Sequence, residues 1–486
     1  MALRRSLVLV VLLAIAKALQ GTDLFAVDIT GTRLVFLFGV VLLAGHLAGG
    51  IARDMGLPRI TGFILVGVLI GPGALGVLTA ADVASLRFID AAAIALIALS
   101  AGGELKLSEL RSQSRSMIGI LTAEMIAVFV VMFGLALLLA DVLPFTAGRP
   151  MTEVLVIAVV FASIAIANSP AVTVAVVNDQ DAKGPVSSTI LGVTVLKDLV
   201  IIVLFAVVLS VTRSAFSAES GGLDIFLVKT LWWEIGGSIA IGAGGGWLIS
   251  LYLRDVKVQL VPFVLVIAFG AALLGEALRL EVLLLALAAG FFVENISPER
   301  GEPFIHAVEA NSVPVYAIFF TLAGASISLD ALVSMGPIIA LIVVTRGAAI
   351  WIGTRTGARL SGAPEAVGRY AWTGFVSQAG VTLGMVTLAA QAFPSWGEEL
   401  RTLFVALVAV HELVGPPLLQ WGLRASGEAG AGARRPVSSA VDQKVGLGRL
   451  GDHGDGGVPD SPLDGDGPES LDDGGKNPEG HGLVHP

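Results

Sequence analysis

The sequence predicts an all-α polytopic membrane protein. Of its 486 residues, 55% are hydrophobic and 14% are charged, whereas a soluble domain averages about 45–50% apolar and about 25% charged residues. Apolar runs such as 34–51, 117–140 and 189–211 contain almost no charge and approach the roughly 20 residues with which a helix crosses hydrocarbon. Transmembrane β-barrels are excluded, because their strands are about 10 residues long and alternate in polarity. Since the chain has no cysteine, disulfides and thiol chemistry are also excluded.

The apolar runs divide into fourteen candidate spans, bounded by charged residues, Gly and Pro. The first, 6–19, is short and follows Arg4 and Arg5, so residues 1–31 form either an uncleaved hydrophobic helix with its loop, which we favour, or a signal segment. The other thirteen make up a transmembrane domain over 32–424. They are predicted at 32–51, 59–77, 86–103, 116–140, 154–177, 188–211, 226–250, 258–276, 282–295, 311–327, 335–354, 370–393 and 402–423.

Residues 425–486 differ in composition from the rest of the chain. They contain 11 Asp or Glu against 5 Lys or Arg, which is −6 of the chain's net charge of −9. They also contain 15 Gly and 6 Pro. A segment of this composition cannot bury enough apolar surface to offset the entropy of ordering. We therefore predict a disordered acidic tail.

The basic residues of the loops predict the orientation. If Arg4 and Arg5 are cytoplasmic, fifteen Lys or Arg residues lie in segments on that side and eight in loops on the opposite side. Cytoplasmic loops carry the excess of Lys and Arg, so this alternation supports the segmentation. It predicts a multi-pass protein of the cell membrane, surrounded by lipid, with a cytoplasmic tail.

The thirteen spans also predict an internal repeat. If the seventh span is a bridge, the other twelve form two sets of six, over 32–211 and 258–423. Corresponding spans of the two sets are seven spans apart, and because seven is odd, the two sets enter the membrane from opposite sides. The fifth and twelfth spans are then counterparts. Both contain mid-span residues that disfavour a helix, with Pro170 following Asn168 and Ser169 in one and Gly380 following Gln378 in the other. Broken spans at matching places in two halves are a pointer to a transporter's binding site.

Four charged residues lie near the middle of predicted spans and need an explanation, because a charge near the bilayer centre costs at least about 2.5–3.5 kcal/mol; a fifth, Glu124, lies closer to one end. Asp198 and Lys197 lie in the middle of the sixth span and Arg346 in the middle of the eleventh. Glu412 lies at the equivalent depth of the thirteenth span, and Glu124 lies nearer the cytoplasmic end of the fourth. For the last two we expect structural roles, which for Glu412 means hydrogen bonding.

Asp198 is the candidate for ion binding. A single carboxylate at the membrane midplane can hold either a proton or a monovalent cation, and burial and a nearby cation shift such a group's pKa in opposite directions. Asn168, Ser169 and Gln378 could supply the oxygens that replace the hydration shell of a hard cation. The alternative is a permanent ion pair between Asp198 and Lys197 or Arg346 that only holds two helices together.

Several motifs, in order, resemble the monovalent cation:proton antiporter superfamily, with its sodium/hydrogen exchanger fold, and within it the Kef-like bacterial branch. The resemblance covers about 32–423. The motifs lie at 57–62 (LPRITG), 67–72 (GVLIGP), 101–105 (AGGEL), 168–170 (NSP), 197–198 (KD), 287–290 (LAAG), 319–325 (FFTLAGA), 378–380 (QAG) and 412–416 (ELVGP).

The resemblance implies crossed discontinuous helices, a separate dimerising panel and alternating access. It maps the family's essential carboxylate onto Asp198 and the basic residue that pairs with that site onto Arg346. Lys197 departs from the family, whose members usually have Asp, Asn or Gln there. Its ammonium either points into the cavity and competes for Asp198, faces Glu124 or another helix, or itself exchanges the proton. The nucleotide-binding regulatory domain of many family members is not expected in a 62-residue tail of this composition.

Together these features predict a secondary transporter that exchanges Na+ or K+ for protons, and the resemblance implies a homodimer. The alternatives are a cation channel along the same broken helices and, because of Lys197, a transport-inactive or gated membrane scaffold. The sequence shows no nucleophile triad, phosphate loop or set of metal ligands. We therefore expect no enzyme activity, no cofactor, no resident metal and no nucleic-acid partner.

Overall fold

The computed structural model describes residues 2–20, 32–86, 88–216, 232–255, 260–297, 304, 308, 312–327 and 329–430. Within these ranges the secondary structure is helical and contains no strand, which confirms the all-α prediction. The predicted tail lies outside the described residues from 431 onward.

The first half of the chain contains nine helices within the described ranges. They are α1 (Ala2–Gln20), α2 (Thr32–Asp54), α3 (Arg59–Ile70), α4 (Ala80–Leu86), α5 (Phe88–Glu104), α6 (Leu107–Leu138), α7 (Met151–Ala165), α8 (Pro170–Asp179) and α9 (Pro185–Phe216).

The second half begins with a π-helical turn at Trp233–Gly237. The helices that follow are α10 (Ser238–Asp255), α11 (Leu260–Leu278), α12 (Val282–Asn295), α13 (Ser312–Ala325), α14 (Leu329–Ser334), α15 (Gly336–Ser361), α16 (Glu365–Tyr370), a 3-10 turn (Ala371–Phe375), α17 (Gly380–Ala392) and α18 (Gly397–Ala425).

Seven of the described helical segments are long and apolar enough to cross a membrane, or nine if each of two bent pairs forms one span. The bent pairs are Ala80–Leu86 with Ile89–Gly103, at 48°, and Glu365–Phe375 with Gly380–Ala392, at 52°. The first of these bends was not predicted. Shorter apolar helices lie at Arg59–Ile70, Pro262–Leu278, Val282–Asn295 and Ser312–Ala325. The chain is thus a multi-span membrane protein, and the count of thirteen stays a prediction.

The N-terminal segment forms a helix that packs against α2. Leu13 and Ala16 are buried against it. At the other end of α1, Arg5 pairs with Asp54 (2.9 Å) and donates to the Gly50 carbonyl (3.1 Å). The segment therefore makes specific contacts with the helix that follows it.

Helices α3 and α13 approach so closely that each needs a glycine at the contact. A Cβ on Gly67 would overlap the Thr321 carbonyl, and one on Gly324 would overlap the Ile64 carbonyl. The two backbones are thus in contact without an intervening side chain, as small residues permit in membrane helices.

Helices α5 and α12 repeat this arrangement. A Cβ on Gly102 would meet the Leu287 carbonyl, and one on Gly290 would meet the Leu99 carbonyl. Two separate helix pairs therefore have the same reciprocal glycine contact.

Candidate functional site

Two interrupted helices meet at their interruptions. Helix α7 ends at Ala165 and α8 begins at Pro170, while the 3-10 turn ends at Phe375 and α17 begins at Gly380. The amide of Ser169 donates to the Ser377 carbonyl at 2.9 Å. The two interruptions are thus hydrogen-bonded to each other, at the segments that the sequence singled out.

Pro170 and Gly380 each start the second half of an interrupted helix. Pro170 lacks an amide hydrogen, which costs nothing in the first turn of a helix. The Ser169 hydroxyl caps the same turn by accepting from the Val172 amide at 3.3 Å. Its hydroxyl oxygen is therefore already engaged in capping.

Arg346 of α15 holds the two interruptions together. Its guanidinium donates to the carbonyls of Ala165, Ala167 and Val376, each at 2.7 Å, and to that of Phe375 at 3.4 Å. Carbonyls at helix ends have no partner within the helix, and this buried side chain supplies one to both chain segments. Within the described residues it forms no ion pair with Asp198, so the expected pairing with that carboxylate is not found.

Lys197 of α9 pairs with Glu124 of α6. Its Nζ lies 2.8 Å from Glu124 Oε1, and both side chains are 0% exposed. The same Nζ lies 5.5 Å from the centroid of the Phe375 ring. Of the orientations left open by the sequence, the structure therefore has the one in which Lys197 faces Glu124.

Asp198 has no such partner. It is 6% exposed, and its buried Oδ1 accepts no hydrogen bond from any described residue. No ion pair joins it to Lys197 or Arg346 among the residues the structure describes. The permanent ion pair that was the alternative for Asp198 is therefore not found among the described residues.

Asn168 and Gln378 present two further oxygens at the interruptions. Asn168 Nδ2 donates to the Thr194 hydroxyl (3.1 Å), one helical turn before Asp198, and Gln378 Nε2 donates to the Ala167 carbonyl (3.2 Å). Asn168 Oδ1 and Gln378 Oε1 are buried and have no partner in the described part of the chain. With their donors engaged, both amides leave their oxygens available.

Sequence reasoning missed some residues around this site. Thr194 orients Asn168. It lies one helical turn before Asp198, so the helical periodicity of this span could have placed it on the same face as the carboxylate. Thr382, in the first turn of α17, has a buried hydroxyl without a described partner. Glu412 is 5% exposed and, within the described ranges, makes neither a hydrogen bond nor an ion pair, so its expected hydrogen-bonding role is not found.

A resident metal centre has no support in the described ranges. They contain no group of three His, Cys, Asp or Glu side chains placed to hold a metal ion. Among the buried oxygens without described partners are those of two amides at the interruptions and of the Asp198 carboxylate on α9.

Comparisons with known proteins point to a single family. The model of the family described as sodium/hydrogen exchanger, transmembrane, matches residues 46–424. The Na(+)/H(+)-K(+) antiporter GerN of Bacillus cereus is 25% identical over 406 residues, or 81% of this chain and 97% of GerN. The probable Na(+)/H(+) antiporter GerT of the same organism is 24% identical over 66% of this chain and 82% of GerT.

The fold is also similar to that of solved structures. Two structures of the sodium proton antiporter MjNhaP1 from Methanocaldococcus jannaschii match with TM-scores of 0.57 and 0.60. The matches cover 84% and 83% of this chain and 99% and 97% of MjNhaP1, at 15% and 16% identity. At this identity the likeness supports the fold alone.

Proposed function

The chain belongs to the sodium/hydrogen exchanger family, and from this premise we propose that it exchanges Na+ or K+ for protons across the membrane by alternating access. Cation:proton antiport is the activity that the family and the relatives support, and those relatives are transporters rather than enzymes. In the proposed cycle Asp198 binds the proton and the cation in turn.

The observation that carries this proposal is a set of three buried oxygens without described partners, on Asp198, Asn168 and Gln378. An unpaired buried acceptor costs free energy unless something binds it. A monovalent cation or a proton on Asp198 would relieve that cost. Because hard cations prefer oxygen ligands, the interrupted helices provide suitable chemistry for Na+ or K+.

The charges around the site favour an exchange of one proton per monovalent cation. Glu124 and Lys197 compensate each other, whereas Asp198 has no ion pair among the described residues. Adding either a proton or a monovalent cation to Asp198 changes the total charge of this group by the same amount. The protein would then carry equal charge in both directions, and the exchange would be electroneutral.

The inverted repeat is part of the same proposal. If the second to sixth predicted spans correspond to the ninth to thirteenth, the contact of α3 with α13 and that of α5 with α12 are related by the repeat. Both contacts use reciprocal glycines, which supports two six-helix repeats. We further propose a homodimer in the cell membrane with a cytoplasmic tail and no bound cofactor.

The alternative of a transport-inactive scaffold had two motives, Lys197 beside Asp198 and the acidic tail. The pairing of Lys197 with Glu124 weakens the first, and the tail from 431 onward lies outside the described residues. Among the described residues, no feature gives a specific reason to prefer a cation channel over an antiporter.

Exchange in proteoliposomes tests the proposal. An internal pH indicator should report proton movement when Na+ or K+ is added outside. Asp198→Asn keeps the side-chain size but removes the charge, so it should abolish exchange while the protein still inserts. Full activity in Asp198→Asn would remove Asp198 from the mechanism, and ion flux that ignores an opposing pH gradient would favour a channel.

A further inference from the structure

The ion pair between Glu124 and Lys197 lies beside the site but takes no part in the proposed exchange. Both side chains are 0% exposed and their charged atoms are 2.8 Å apart. We propose that Glu124 is a positioning residue, which holds the Lys197 ammonium away from Asp198 and thereby keeps the cation site open. This inference rests on the proposed function.

The sequence of α9 places the lysine next to the carboxylate for which it would compete. Lys197 and Asp198 are consecutive, so their side chains diverge by only about 100° around the helix. A lysine side chain is a flexible four-carbon stem with a compact charge. Without a partner elsewhere, an ammonium at this position would be drawn to the neighbouring carboxylate.

The remaining surroundings of Lys197 cannot neutralise it. The charged groups around its ammonium are Glu124 on α6, Arg346 on α15 and Asp198 on its own helix. Arg346 is itself a cation, and its guanidinium is occupied by backbone carbonyls. The Phe375 ring offers a cation–π contact, which is weaker than an ion pair. Glu124 and Asp198 are thus the two carboxylates with which the Lys197 ammonium could pair.

The position of Glu124 is fixed by backbone packing. Helices α6 and α15 lie against each other, and Gly353 of α15 contacts the Cα of Glu124 without room for a side chain. The backbone of Glu124 is therefore held in place, and the pair is anchored on the α6 side.

Glu124→Gln is the direct test, measured as cation-dependent proton flux in proteoliposomes. Because the released ammonium would compete with the cation for Asp198, the apparent KM for Na+ or K+ should rise by about tenfold, the equivalent of losing about 1.4 kcal/mol of binding free energy. The maximal rate should change much less. The double variant Glu124→Gln with Lys197→Gln, which removes the competitor, should reverse most of the rise in KM.

Glu153→Gln is the matched control. Glu153 also forms an ion pair, with Arg149 at 2.7 Å, but near the start of α7 rather than beside Asp198. It should leave the KM unchanged. Glu124→Asp provides a second variant if Glu124→Gln does not insert, since the shorter carboxylate loosens the pair and should raise the KM by a smaller factor that Lys197→Gln also reverses.

Two results would overturn the inference. One is an unchanged KM in Glu124→Gln or Glu124→Asp. The other is a raised KM that the added Lys197→Gln does not lower, which would make Glu124 merely structural. Failure of the proposed function would instead be seen in the wild-type protein, as an absence of cation-dependent proton flux.

Discussion

At the residue scale, two neighbouring charges have opposite environments. Lys197 is neutralised by Glu124 across a helix interface, whereas Asp198 has neither an ion pair nor a hydrogen bond among the described residues. A buried pair is tolerated when its charges are compensated, and an uncompensated carboxylate is a group available to a mobile ion. The structure therefore separates a compensated charge pair from an unpaired carboxylate within one turn of α9.

Arg346→Lys tests the role of the guanidinium in joining the interruptions. A single ammonium cannot reproduce a planar fork that reaches four carbonyls. We expect a loss of stability of about 1.5–3 kcal/mol, read as a lower unfolding temperature in detergent. The control is Arg401→Lys, because Arg401 pairs with Glu398 at an exposed surface. Equal unfolding temperatures for the two variants would contradict the account.

The sequence located the residues of this site better than it defined their partners. Charge within apolar spans identifies Asp198, Lys197 and Arg346. It does not identify what Arg346 binds. Every residue has a backbone carbonyl, so the sequence does not show which carbonyls accept from the guanidinium. The partner of Lys197 also stayed open, because helical periodicity gives the direction of a side chain but does not say which helix it faces.

At the element scale, the interruptions were predictable because their residues oppose helix formation in an apolar environment. The bend between α4 and α5 was missed although a signal was present. Thr79 and Asp82 cap α4 reciprocally, with the Thr79 amide 2.9 Å from Asp82 and the Asp82 amide 3.1 Å from the Thr79 hydroxyl. This is the spacing of a capping box, which marks a helix start before the predicted span.

Gly290→Ala tests the close contact between α5 and α12. The added Cβ would overlap the Leu99 carbonyl, and such overpacking costs about 1–3 kcal/mol. Gly134→Ala on α6 is the matched control, because no atom lies within 4 Å of its new Cβ. We expect Gly290→Ala to lower the yield of folded protein and the unfolding temperature, with Gly134→Ala unaffected or slightly stabilised. A Gly290→Ala protein as stable as the control would show that the helices are not in backbone contact.

At the scale of the whole molecule, hydropathy predicted an all-α membrane protein and the structure and family agree. The count of thirteen spans, the orientation and the cytoplasmic tail depend on a bilayer and on residues outside the described ranges, so they remain predictions. The sequence did not predict the hydrogen bond between Ser169 and Ser377, which are 208 positions apart. Contacts over such separations depend on the packing of all the helices together.

The central claim is that one carboxylate holds either a proton or a cation. The most direct measurement is the number of protons released when Na+ or K+ binds to the purified protein in weakly buffered detergent solution. Because linked binding at one site is reciprocal, we expect about one proton released per cation bound, and none from Asp198→Asn. Cation binding to the wild-type protein without proton release would contradict the account.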